Sequence, residues 1–141
     1  MIKAIYSEDV YDLLVSLWYS TELFSSIPDE TAIPDDTYAF TQIVTDNIVS
    51  QSWQGYYLKQ ARVSITIVCK KVLLANDTPE RVVRGEIDTL TNLLKSVKTH
   101  TIGTKTINSV KEDTVSPIFN QDERYFIVKD YIFNYSATYN E

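Results

Sequence analysis

The stretch "DERYFIVKDYIFNYS", residues 122–136, decides the fold. It alternates like a β-strand, with Tyr125, Ile127, Tyr131, Phe133 and Tyr135 on one side and Phe126, Val128 and Ile132 on the other. Neither side is polar. A sheet in a small domain normally leaves one face to water, so this strand asks for cover on both. Lys129 and Asp130 interrupt the apolar run. They read as an exposed rim or a bulge, or as an ion pair between subunits, because charges inside a buried face need partners.

Working outward, Thr- and Ile-rich residues 100–110 read as the preceding strand, with "KEDTVSPIFNQDE" (111–123) as the loop of a hairpin. "QARVSITIVCKK" (60–71) is the clearest strand. Ala61, Val63, Ile65, Ile67 and Cys69 form its dry side, and Arg62, Ser64, Thr66 and Lys70 its wet side, interrupted by Val68. Cys69 therefore reads as a buried, inert thiol. "TYAFTQIVT" gives a further strand at about 38–45, with Tyr38, Phe40, Gln42 and Val44 on one face. The following "DNIVSQSWQGYY" is polar with an apolar fringe of Ile48, Val49, Trp53, Tyr56 and Tyr57, and reads as a long hairpin tip or a loop. Its aromatics either cover the sheet edge or make a contact loop, since Tyr and Trp offer large area at low entropy cost.

Two helices complete the pattern. Ser7 stands as N-cap before Glu8 and Asp9, and Val10, Leu13, Leu14, Leu17 and Trp18 form one stripe, with Tyr6 and Tyr11 as a staple. The second helix opens on Thr78, Pro79 and Glu80 and carries Val83, Ile87, Leu90, Leu94 and Val97 inward, with Lys95 and Lys98 at its end. Gly85 is either a point of close approach to the sheet or simply tolerated. Between helix and sheet, residues 20–37 contain two Pro-Asp steps and read as a connection pinned by Leu23, Phe24, Ile27 and Ile33. The expected fold is one α+β domain over residues 1–141: an antiparallel or mixed twisted sheet flanked by two main helices on one face.

Composition limits function. The chain of 141 residues has net charge −6, and its Lys and Arg read as scattered, with Lys70-Lys71 the only adjacent pair. That disfavours nucleic-acid binding for affinity, which needs a basic patch. Cys69 stands alone, so no internal disulfide and no Cys-based zinc site is expected. The N-terminal segment carries Glu8, Asp9 and Asp12 within its apolar pattern, so it reads as neither a signal peptide nor a membrane span. The single His100 reads as a surface or capping residue, and Gly55, Gly85 and Gly103 make no phosphate loop. Acidic pairs such as Asp29-Glu30 and Asp35-Asp36 read as solvated loop charge, because no EF-hand spacing surrounds them. No catalytic, cofactor-binding or metal-binding residues are expected, and the chain does not read as an enzyme.

The helices dress one sheet face, so loops or another copy must dress the other, and a closed ring of subunits would do so. The order "VYDLLVSLWYS", "TYAFTQIV", "ARVSITIVCKK", "TPERVVRGEIDTLTNLLKSV" and "RYFIVKDYIFNYS" resembles the tail terminator (tail completion) proteins of long-tailed bacteriophages. The resemblance covers nearly the whole chain and rests on element order and pattern. Neck and head-to-tail joining proteins of this size share that pattern, and a small acidic enzyme or an adaptor domain is the rival from another class. The resemblance implies a structural virion protein that forms a ring, a hexamer in that family, on the finished tail tube. Such a ring stops tube growth and presents a surface to the head–tail connector protein. It implies assembly in the host cytoplasm, a place in the virion tail, no cofactor, no membrane, and DNA passing through without specific binding, its acidic loop residues lining the channel. The self-association surface is expected at Trp53, Tyr56 and Tyr57 and at Tyr125, Ile127, Lys129, Asp130 and Tyr131 of the final strand.

Overall fold

A computed structural model of the chain describes residues 4–17, 21–28, 37–51, 56–70, 78–121 and 124–138. Two helices lie against a mixed, twisted seven-stranded sheet, the α+β arrangement expected. In chain order the elements are α1 (Ser7–Ser16), β1 (Glu22–Phe24), β2 (Tyr38–Gln51), β3 (Tyr56–Lys70), α2 (Pro79–Lys95), β4 (His100–Ile102), β5 (Lys105–Val115), β6 (Phe119–Gln121) and β7 (Arg124–Thr138).

The strand order is β1-β2-β3-β7-β5-β4, with β6 continuing the β5 side of β7. Only β1–β2 is parallel. β7 pairs with β3 along its whole length in unbroken register, from Lys70↔Arg124 to Tyr56↔Thr138. β5 runs five residues past the expected end, to Val115, taking "KEDTV" out of the loop. Ser116 then stays on β7, its amide donating to the Val128 carbonyl and its hydroxyl accepting from the Val128 amide. β2 likewise runs on to Gln51, so that the polar stretch after residue 45 is strand. The connection over 20–37 contains a regular element after all, the three residues of β1. Register breaks leave Val44 and Val49 as extra residues in β2, and others fall in β5 at Asn108 and at Asp113–Thr114. Such bulges add twist and spoil an edge for further strand pairing.

Both helices pack on one face. Val10, Leu13 and Leu14 of α1 and Val83, Ile87, Leu90 and Leu94 of α2 share a single core with Ala61, Val63, Ile65 and Ile67 of β3 and Ile127, Tyr131, Phe133 and Tyr135 of β7. The start of α1 differs from the expected cap. Tyr6 precedes the helix, and the Asp9 carboxylate reaches back to accept the Tyr6 amide at 2.8 Å, so the tie comes from inside the first turn rather than from Ser7. The Tyr6 ring does not bury itself as a staple; it is exposed and receives the Lys105 ammonium at 4.6 Å. α2 follows its local grammar: Thr78 Oγ1 accepts from the Arg81 amide and Pro79 opens the helix. Gly85 faces open space, with nothing within 4 Å of a Cβ built on it, so no close approach requires it. Trp18, Ile33, the acids at 29, 30, 35 and 36, and Lys71 lie outside the described residues.

Candidate functional site

The second sheet face answers the question of cover differently at its two ends. At the end where β2 begins, Tyr38, Phe40 and Val68 are buried together, with Phe24 and Phe126 packed on them. Phe24 meets Tyr38 edge-on at 5.9 Å, and Phe119 stacks on Phe126 at 5.2 Å. Further along the face turns polar. Arg62 pairs with Asp113 at 2.7 Å, Asp130 accepts from Ser64 Oγ at 2.6 Å, and Arg62 lies 3.8 Å from Asp130. Asn134 donates to Ser109 alongside. The chain thus dries one end of this face with its own aromatics and places polar pairs further along it.

The expected surface residues divide accordingly. Tyr57, Ile127, Lys129 and Tyr131 are buried on the helix side of the same protomer, with Tyr131 at 0% exposure. They are not exposed: α2 lays its apolar stripe over Ile127 and Tyr131 and its Thr91 meets Lys129, while Tyr57 is buried near the other end of β3. Tyr125 lies on that same side opposite Cys69 and is half-buried. Asp130 alone among the described candidates of β7 points to the second face, where it is half-buried. Tyr56 opens β3 and pairs with Thr138; Trp53 lies outside the described residues. Lys129 and Asp130 form no bulge in β7, whose register with β3 is unbroken, and as strand neighbours they face opposite ways.

What pattern reading missed is a set of buried lysines on the helix side. Lys129 Nζ donates to Glu112 at 2.6 Å and to Thr91 Oγ1 at 3.0 Å. Thr91 spends its own proton on the Ile87 carbonyl and lies 2.7 Å from the Tyr131 hydroxyl, so that phenol donates to it. Lys95 completes the pairing of Glu112 at 2.9 Å. Hydrogen bonds from Lys129 and then Lys95 hold the Glu112 carboxyl down at about 2. Burial raises the Tyr131 phenol.

A second polar cluster holds the N-terminal segment. Tyr135 donates to Asp46 at 2.6 Å, and the Ile5 amide points at both, 3.1 Å from each. Lys59 lies 3.3 Å from Asp46, and Lys105 donates to the Ala4 carbonyl at 3.1 Å and to Asp9 at 2.5 Å. Burial, then the Asp46 carboxylate, raises the Tyr135 phenol. These contacts satisfy one another within the chain, the condition for burying charge without leaving an orphan. One signal was available: Lys59, Lys105 and Lys129 each fall in phase with the buried positions of their strands.

Some of the exposed apolar side chains lie on the β2–β3 hairpin. Val44, Ile48 and Val49 on β2 and Leu58 on β3 are 45–60% exposed around the open edge of the hairpin. Ile48 and Val49 belong to the apolar fringe read from the sequence and Val44 to one face of the strand expected at about 38–45, whereas nothing in the sequence pattern marks Leu58. Among the described residues, no group of three or more His, Cys, Asp or Glu is placed to hold a metal ion, and no helix is long and apolar enough to cross a membrane.

No protein-family model matches the chain, and no curated protein gives a significant sequence match. The likeness to tail terminators therefore stands on element order and pattern.

Proposed function

We propose that this chain is a structural virion protein of the tail terminator kind, forming a ring that caps the tail tube, stops its growth and joins it to the head–tail connector. The observation that carries the reading is the open β2 edge, along which Val44, Ile48 and Val49 are exposed. Apolar side chains exposed along a sheet edge suit a partner, and a repeated partner around a closed ring removes every such edge. The bulges at Val44 and Val49 favour this over open-ended strand addition, because they break the ladder a further strand would need. The contact surface therefore sits on β2 rather than on the covered side of β7. Partners in this reading are further copies of the chain, the tail-tube protein and the connector; DNA passes through without specific binding.

The reading is tested on tubes. Tail-tube protein from the same phage, polymerised alone, gives lengths without a limit, and addition of this chain arrests growth and leaves a ring at one end in electron micrographs. Length distributions unchanged by the chain count against the proposal. The substitutions Ile48→Asp and Val49→Asp together abolish the arrest while leaving the melting temperature within a few degrees, since both side chains are exposed.

A further inference from the structure

The basic residues are not spread evenly through the molecule. From Ala4 to Leu58 the sequence has nine Asp and Glu and no Lys, Arg or His; all of the 13 Lys and Arg except Lys3 come from Lys59 onward. The fold turns this difference along the chain into a difference across the sheet. α1, β1 and β2 all belong to the first part; β1 and β2 form one edge of the sheet, and α1 packs against β2 while its first turn reaches Lys105 of β5 through Asp9. β4 and β5 form the other edge, and α2 lies over β3, β7 and β5. Glu8 and Asp12 of α1 and Glu22 of β1 are exposed, and none of them makes an ion pair among the described residues. Glu8 and Asp12 stand one turn apart on α1, where like charges disfavour the isolated helix by a few tenths of a kcal/mol. Val15, next on the same stripe, is also exposed. On the opposite edge Lys98 and Lys111 are exposed and make no ion pair among the described residues, the neighbouring Glu112 and Asp113 being taken up by Lys95, Lys129 and Arg62, and Val115 is exposed at the end of β5.

We propose that these two edges are the two halves of one contact: the acidic α1–β1–β2 edge of one copy receives the Lys98–Lys111 edge of the next. The proposal rests on the ring reading above and specifies its geometry. Two different surfaces on one chain give a head-to-tail contact, the kind that closes rings rather than making isolated two-fold dimers. Opposite charge sets the direction, because acidic edge against acidic edge is repelled. The apolar side chains Val44, Ile48 and Val49 lie within the acidic edge and supply burial once charge has brought the copies together.

Charge reversal tests this on the full-length chain by native mass spectrometry and sedimentation. The wild-type chain associates, and raising salt from roughly 0.05 to 0.5 M weakens the association. A variant with Asp12→Lys and Glu22→Lys has two basic edges, and one with Lys98→Glu and Lys111→Glu has two acidic edges. Each alone associates at least about tenfold more weakly than wild type. Mixed in equal amounts they associate again, with the two chains alternating. All four side chains are exposed, so circular dichroism melts of both variants stay near wild type. If the wild-type chain associates but neither variant is weakened, or the mixture stays monomeric, this pairing of edges is wrong and the ring reading survives. A wild-type chain that remains monomeric at every concentration and salt overturns both.

Discussion

Glu112 shows how one residue can be largely exposed and still be tightly held. Its carboxylate takes the Lys129 ammonium from below and that of Lys95 from the side. The folded carboxyl is depressed, so its contribution to stability is whole above about pH 4.5 and is lost as pH falls toward about 2. Carboxyl carbon shifts followed by NMR should place the Glu112 midpoint near 2, and Lys129→Met should return it toward 4.5. The tyrosines carry the opposite sign. Tyr131 and Tyr135 both have raised phenols, so what they contribute is present below pH 10 and is lost as pH climbs past it. Near-ultraviolet titration should show these two phenols failing to ionise with the exposed tyrosines, their signal appearing only together with alkaline unfolding. Tyr135→Phe should lower the melting temperature, because it leaves the Ile5 amide and the Asp46 carboxylate short of a partner in a half-dry site.

Helix α2 and strand β5 show which elements a sequence announces. Thr78, Pro79 and Glu80 mark a start with interactions made inside one turn, and the helix begins there. β5 runs past its expected end because Asp113 and Thr114 together stand opposite the one residue Asp130, and the single extra residue throws the period-two pattern out of phase. Val44 and Val49 do the same to β2. Part of the expected contact surface is buried for a tertiary reason. Alternation shows that β7 has two apolar sides, but not which side the helices will claim, and they claimed that of Ile127 and Tyr131. The lysines beneath the helices were legible in phase but not in partner, since Lys129 meets a residue 17 positions away and Lys105 one 96 away. Two glycines give matched tests of element reasoning by thermal or urea unfolding. Gly85→Ala should stabilise by about 0.5–1 kcal/mol, the usual gain in an open helix position. Gly103→Ala should destabilise by about 1–2 kcal/mol, because Gly103 turns the β4–β5 hairpin at φ +59°.

At the scale of the molecule, topology sets the order of events. β7 is the last strand in the chain and stands between β3 and β5 in the sheet. A chain ending before Arg124 should therefore show no cooperative unfolding transition by circular dichroism, since both halves of the sheet lose their common neighbour. The intact chain should refold in roughly milliseconds to seconds, as sheets built from distant pairings do, measured by stopped-flow fluorescence. The pairing of β3 with β7 also reaches into biosynthesis. Once Lys70 has left the ribosome, its partner Arg124 follows about 50 residues later, roughly 3–10 s at ordinary elongation rates. Throughout that wait Val63, Ile65 and Ile67 have β2 on one side and no strand on the side that β7 will take. Yield in a cell then depends on translation speed between those two codons and on the chaperones that meet the nascent chain.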